Sequence, residues 1–403
     1  MIKEFKVYYG NVPASQEQLN AIEEIVVEQE IGRAWQARIT IPICIAEDGS
    51  WDGENNPEYA EFARVRVEAR VGAGDFVPLI DGRIVDQDPG MSAEPGASTL
   101  TLTVQDDTTL LHREAGSEDF PPGQSDSDIA RSLLTDAALG GTVEVDETGA
   151  ATDPNAVVQR HGTPMQLLRS LMRRHADFYA YVLPGSAPGT SDCCFKKLPE
   201  TLDPALPTLA LTGPDRNMNG FHVQRVSNSA AQYEGAWLSM DDKNVSTGSS
   251  RSSETALSEG EAATAAGSSE IRTRRLPPGI GDHVGSSEAA ESLARQSSYT
   301  IRAEGAVLPQ CFRGILLPYR MVRANVSNSR YSAQYVIFKV THTLGRSEYT
   351  QSFSLRGNAV TPETSTNAAC ASRATWLCWR IWNAPRANPW KASCTNPCHA
   401  TPP

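Results

Sequence analysis

No stretch of this 403-residue chain has the unbroken apolar length needed to cross a bilayer as a helix, so no membrane segment is expected. The opening MIKEFKVYYGNV holds no apolar h-region, so a secretory signal is not expected and folding in the cytoplasm is. Positive charge is short: 36 Lys and Arg face 48 Asp and Glu, a formal net charge of −12. A protein held to nucleic acid through phosphates needs a basic face, which sets sequence-specific nucleic-acid binding aside. G-x-S-x-G, H-E-x-x-H and P-loop motifs are absent, and Gly72-Ala73-Gly74 lacks the third glycine and the helix of a dinucleotide fingerprint. His112 and His161 have no nucleophile beside them in the sequence. No catalytic, cofactor-binding or metal residue is assigned, and an enzyme is not expected.

What is there is strand alternation. Val336, Phe338, Val340, His342 and Leu344 fall on one face of a strand, Gly345-Arg346-Ser347 turns the chain, and Tyr349, Gln351, Phe353 and Leu355 alternate on the return. Each large apolar side chain buried is worth roughly 1.5–3 kcal/mol, enough together to fix the register. A hairpin alone is unstable, so more sheet must surround it. On this apolar face His342 is expected to be a satisfied core or interface residue.

The other strand signals lie in two regions. Early in the chain are Ile22–Gln29 (strand favoured over helix by Ile25, Val26 and Val27), Arg38–Ile43 with Pro42 marking an end or edge, Arg64–Val71, Ile80–Val85 and Thr99–Val104. Within Arg64–Val71, Val65, Val67, Ala69 and Val71 alternate with Arg64, Arg66, Glu68 and Arg70, and Gly72-Ala73-Gly74 ends the run. Later come Thr208–Thr212, Phe221–Val226, Tyr299–Ala303, Ile315–Leu317 and Met321–Val326. Between the regions, Ser125–Ala138 and the segment after Thr163 read as helices. Thr163, Pro164 and Gln166 make a reciprocal N-terminal cap, and Leu167, Leu168, Leu171 and Met172 form the apolar stripe. Strands at Val157–Arg160 and Phe178–Leu183 flank that helix. Residues 244–270 are mostly Ser, Ala, Thr, Gly and Glu and are expected to form a mobile loop with a solvated acidic surface over Glu254–Glu270; a short helix over Glu288–Gln296 follows.

Half of the eight cysteines crowd the last tenth of the chain: Cys370, Cys378, Cys394 and Cys398, with Trp376, Trp379, Trp382 and Trp390. With His399 they are candidates for zinc or an iron–sulfur cluster, but the spacing fits no standard pattern. Disulfides, a disordered tail and a frame-shifted end are the competing readings, and disorder is preferred. Adjacent Cys193 and Cys194 are read as ordinary thiols, since a disulfide between neighbours is strained.

The run SYTIRAEGAVLPQCFRGILLPYRMVRANVSNSRYSAQYVIFKVTHTLGRSEYTQSFSLRGN resembles the end of the hub domain of phage late control protein D, which VgrG-type proteins share. The match rests on Tyr335, Val340, His342, Tyr349 and Phe353, preceded by Ala303-Glu304-Gly305. SDSDIARSLLTDA with VVQRHGTPMQLLRSLMRRHADFYAYV resembles that family's middle subdomain, and GRIVDQDPGMS with STLTLTVQDDTTLLHRE its first barrel. The resemblance implies a mainly β protein with an α/β insert (α+β). Its expected parts are a first antiparallel β-barrel hub domain over 1–112, a middle subdomain over 113–200, and a second barrel from 201–237 with 299–360. A low-complexity loop with a short helix over 238–298 and a Cys/Trp-rich tail over 361–403 complete it. The resemblance further implies a homotrimer that seats a hexameric tail tube and a spike beside baseplate wedge proteins, with no cofactor. Nothing after Asn358 resembles an OB barrel or a spike repeat, so the spike is expected to be a separate protein. An enzyme acting on peptidoglycan through the insert, and a β-rich carbohydrate-binding protein, are the alternatives.

Overall fold

The computed structural model describes residues 3–361 apart from 46–48, 52–55, 151–156, 227–230, 239–242, 252–260, 263–271, 277–285 and 347. These belong to one unit, Met1–Pro362; the tail with Cys370, Cys378, Cys394, Cys398 and His399 lies outside the described residues, as do 254–260 and 263–270 of the acidic segment.

Alternation sets the first third of the chain. β1 (Lys3–Tyr9) and β2 (Val12–Pro13) lead to α1 (Gln16–Ala21), which is capped reciprocally by Ser15 and Gln18. The ambiguous Ile22–Gln29 stretch becomes β3 (Glu24–Glu30), because every second residue from Ile25 is buried. β4 (Gln36–Pro42), β5 (Arg64–Val71), β6 (Val77–Gly90) and β7 (Thr99–Asp106) follow. Pro42 ends its strand, as its missing N–H requires.

The insert begins with β8 (Gly116–Asp119) and α2 (Asp126–Asp136), whose N-cap is Ser125. β9 (Gly140–Val145) and β10 (Gln159–Gly162) precede α3 (Pro164–Arg174), where Thr163 and Gln166 form the expected cap. β11 (Phe178–Pro184) and β12 (Ser191–Lys197) make a hairpin joined in parallel to β9. Ile129, Leu168, Leu171 and Phe195 form its separate core.

The last part holds β13 (Leu209–Ala210), β14 (Met218–Arg225), β15 (Ala231–Leu238), β16 (Val245–Arg251), β17 (Glu261–Ala262) and β18 (Arg272–Arg275). α4 (Ser286–Ser297), β19 (Ile301–Val307), β20 (Met321–Asn325), β21 (Gln334–Gly345), β22 (Tyr349–Gly357) and β23 (Ala359–Val360) complete it. Val245–Arg251, expected within a loop, is a strand paired antiparallel with β15: its small hydroxyl and glycine residues bring little apolar surface but leave the backbone free to form a ladder. Ile315–Leu317, expected as a strand, is irregular and buried; Gln351 supplies through its side chain the acceptor that Leu316 N–H would otherwise find in a ladder.

The hairpin of β21 and β22 departs from the simple alternation expected of it. β21 and β22 pair with a register shift between Ile337 and Lys339, so Phe338 is a bulge residue. It leaves the apolar face and is half-buried, with the Arg356 guanidinium 3.3 Å from its ring centre. β6 has the same irregularity at Val85, between Ile84 and Asp86.

The strand order repeats. β3-β4-β7-β6-β5 and β14-β19-β22-β21-β20 are both wholly antiparallel, with the long bulged strand in the same place. Aligning the bulges matches Ile84 with Ile337, Ala63 with Arg320 and Phe62 with Tyr319. Ile84 N–H donates to Ala63 O at 2.9 Å, and Ile337 N–H donates to Arg320 O at 2.8 Å. Phe62 and Tyr319 both adopt the left-handed region, at φ 63° and 60°, a conformation rare for large residues. Two closed barrels were the expectation; among the described residues the two repeats instead share one open thirteen-stranded sheet. The reason is that Lys339–Gly345 of β21 pairs with Glu30–Glu24 of β3, across the repeats, rather than turning back onto its own. The described fold is mainly antiparallel β with an α/β insert. Ile39 and Leu102 centre the core of the first repeat, Ile301 and Leu355 that of the second.

Candidate functional site

Eight strands, in the order β6-β7-β4-β3-β21-β22-β19-β14, present one largely polar face, interrupted by Val26, Ala306 and Phe338. Residues directly opposite one another in a ladder share a face. The rows can therefore be read across: Asp88 to Thr101 to Thr40 to Glu24, and Glu28 to Thr341 to Ser352 to Ala306. Thr103, Arg38, Val26, Thr343 and Thr350 form the row between, and Glu30, Lys339, Ser354, Glu304 and His222 the row beyond. The opposite face is the core, so the polarity is a property of this side alone. Short hydroxyl side chains make the surface even, and the carboxylates of Asp86, Asp88, Glu24, Glu28, Glu30 and Glu304 outnumber the cations of Arg38, Lys339, Arg302 and Arg356. Arg38 and Lys339 both approach Glu28, at 3.7 and 3.4 Å. Such exposed pairs are each worth at most about 1 kcal/mol.

Beneath that face, the joint between the repeats is keyed by a buried polar chain. His342 is wholly buried, with Nδ1 2.8 Å from the Tyr349 hydroxyl and Nε2 3.1 Å from Gln29 Oε1. Gln29 Nε2 donates to Leu79 O at 2.6 Å, which leaves Gln29 Oε1 as an acceptor and puts the imidazole proton on Nε2; Tyr349 O–H then donates to Nδ1. His342, expected as a satisfied core or interface residue, is buried with both ring nitrogens bonded. Burial lowers its pKa to about 3, from an ordinary 6.5. The unfolded chain takes up this proton as pH falls below 6.5 and the folded chain does not, so the stability resting on neutral His342 is whole at pH 7 and is lost on acidification towards pH 3. Acidifying from pH 7 to pH 5 is expected to cost the wild type about 2 kcal/mol more than His342→Gln, measured by urea denaturation. Parallel profiles would contradict it. Asp106, raised to about 7 by burial, acts in the opposite sense in both proteins and drops out of the difference.

A second buried cluster fastens the insert to β5 and β6. Arg66, one of the alternating charged residues of β5, is 1% exposed. Its guanidinium donates to Glu68 (2.8 Å), Asp81 (3.1 Å) and the carbonyls of Gly185 and Ala187 (2.8 and 3.2 Å). Arg64 donates to Asp81 and Asp107, each at 2.7 Å, and Ser191 O–H donates to Asp107 at 2.7 Å. Both faces of β5 are thus covered. Nothing local in the sequence signals this, because the partners lie up to 127 residues away.

The remaining sequence candidates stay apart. Cys193 and Cys194 are free thiols in β12, and burial pushes both up to about 12, which keeps them unreactive. His161 is exposed, 3.3 Å from Ser117 Oγ; His112 ends a 3-10 helix, its pKa lowered by burial and by Arg169. Gly72-Ala73-Gly74 is the β5–β6 turn. Among the described residues no group of three His, Cys, Asp or Glu is placed to hold a metal ion.

The chain matches no protein-family model and no curated protein. Solved structures do resemble it. The 43 kDa tail protein of prophage MuSo2 from Shewanella oneidensis aligns with a TM-score of 0.61 at 13% identity, over 88% of this chain and 98% of that one. A tail protein from Neisseria meningitidis MC58 gives 0.56 at 14% identity, over 88% and 96%. An Escherichia coli type VI secretion component, itself similar in structure to T4 bacteriophage tail proteins gp27 and gp5, gives 0.50 at 8% identity, over 83% and 73%. At such identities the likeness is one of fold: this chain has the fold of phage tail proteins and of the type VI secretion component built like them.

Proposed function

We propose that this chain is a structural baseplate hub, a trimeric adaptor between a hexameric tail tube and a spike, in a contractile phage tail or a phage-derived injection particle. The observation that carries this reading is the doubled strand order, β3-β4-β7-β6-β5 and β14-β19-β22-β21-β20. Three chains with two such units each offer six similar seats to a six-fold tube, while their three-fold axis suits a spike. Contacts that close into a ring also leave no sticky edge. The polar face lines the bore, where its excess of carboxylates keeps DNA or acidic cargo from adhering. The partners are two further copies, tube, spike and wedge proteins, with assembly in the cytoplasm and a final place in the particle's baseplate. Likeness of fold to tail proteins supports the assignment.

Nothing specific favours the alternatives. In the insert, Asp126 is held by Arg174 and His175, Glu147 by Arg131 and Glu144 by Lys196, which is not the arrangement of an acid and a nucleophile working on a sugar. The ring pair Tyr181 and Tyr319, stacked at 3.6 Å between insert and sheet, is a packing contact and not a sugar platform. Light scattering of the purified full chain, alone and with its spike, is expected to give three chains per particle. A strict monomer under both conditions would overturn the proposal.

A further inference from the structure

The repeat that joins the two halves of one chain leaves one half of that joint open at each end. In β21, Lys339–Gly345 has β22 on one side and β3 on the other. The bulge alignment matches this stretch with Asp86–Ser92 and matches β3 with β14, Ile25 with Phe221 and Val27 with Val223. Asp86–Gly90 has β7 on one side and, among the described residues, no strand on the other; β14 likewise pairs only with β19. The exposures agree. Leu344 is 2% exposed and its counterpart Met91 49%; Tyr319 is 9% exposed and its counterpart Phe62 51%. Ile25 and Val27 are wholly buried, whereas Phe221 and Val223 are only half-buried. Apolar side chains stand uncovered at the positions where the equivalent joint is filled inside the chain.

We infer that the free edge of β6 beyond Val85 takes β14 of a second copy of this chain as an antiparallel strand, in the register that β21 and β3 use. This deepens the hub reading and rests on it by naming the joint that closes the ring. Transferring the pairs Val340–Gln29, Thr341–Glu28, His342–Val27 and Leu344–Ile25 sets Gln87 opposite Arg225, Asp88 opposite Gln224, Pro89 opposite Val223 and Met91 opposite Phe221 of the next copy. Met91, Pro89, Phe221 and Val223 then share the core side, and Asp88 with Gln224 extends the polar face. Phe338 O accepts from Ile31 N–H, so 338, 340, 342 and 344 turn their backbone groups to β3 and, by equivalence, Gln87, Pro89 and Met91 turn theirs outward. Pro89 therefore leaves one ladder bond unmade. A proline on an outward edge is also a known guard against indiscriminate pairing, which lets the apolar contacts choose the partner.

The test is a cysteine pair, Asp88→Cys with Gln224→Cys, in the full chain. Within one chain six strands of the sheet separate these positions, so they can bond only between copies. Mild oxidation is expected to give reducible dimers and closed trimers on denaturing gels, absent from either single variant and from Asp88→Cys with Arg225→Cys, which points to the opposite face. Met91→Glu, at an exposed position, is expected to weaken trimerisation at least tenfold with the far-UV circular dichroism unchanged. A trimer that forms without the disulfide between positions 88 and 224, and that ignores Met91→Glu, would overturn the strand joint and leave the hub reading standing. A chain that stays monomeric and unlinked with its spike present would overturn both.

Discussion

Arg66→Ala is expected to lower unfolding stability by roughly 3–5 kcal/mol, read from the shift in a urea transition, because it strands buried charge. Glu68 would lose its guanidinium, Asp81 would keep only that of Arg64, and Gly185 O would lose the Arg66 donor, while Ala187 O would keep Thr190. Water cannot easily compensate at a side chain 1% exposed. The loss should show first where the insert meets β5, as faster protease cleavage in the turn around Gly185–Gly189. Arg70→Ala is the control: it lies on the same strand, pairs with Glu4 near solvent, and is expected to cost under about 1 kcal/mol. Equal effects at the two sites would show that the Arg66 cluster is not what fastens the insert.

The second large effect is expected at Gly82, where β6 crosses close over β7. A Cβ there would lie 1.9 Å from Gln105 O and 2.6 Å from Gln105 C, both backbone atoms that cannot rotate away. Gly82→Ala should therefore destabilise by about 3 kcal/mol or more, or yield insoluble protein, since one of two paired strands must shift. Gly305 meets a similar obstacle, Gly220 O at 2.2 Å. At Gly220 itself a methyl finds open space, and Gly220→Ala should be neutral or slightly stabilising, because alanine has less backbone freedom to lose. A thermal melt of the three variants separates close approach from a general intolerance of substitution.

Local features of this chain were legible because their causes are local. The Thr163–Gln166 cap, the Ser125 start of α2 and the hairpin of β21 and β22 each follow from a few neighbouring residues. The bulge at Phe338 was not, since it depends on which strands lie on either side. The burial of Arg64 and Arg66 was not legible for a related reason: alternation places their side chains on one side of β5, but only distant partners, Asp107 and Ser191 for Arg64 and Asp81 and Gly185 O for Arg66, cover them. The repeat itself is invisible in the letters. Arg38 corresponds to Glu304 and Ile39 to Gly305, so the likeness survives in backbone geometry and not in side-chain chemistry. As for the polar face, alternating Thr99, Thr101 and Thr103 hinted at one wet side, but only the ladder shows it spanning both halves.

The bond between His342 and Gln29 spans 313 residues of chain, and the paired residues of the β3–β21 seam lie 309 to 321 apart. At a synthesis rate of about 5–20 residues per second, β3 leaves the ribosome roughly 15–60 s before the strand that covers it exists. Throughout that interval the newborn N-terminal half carries a bare, apolar-backed edge, the kind that nucleates aggregation. Polypeptides truncated before β21 should therefore precipitate or recruit holdase chaperones, and the strands that close the described chain act as the latch that makes its opening strands soluble.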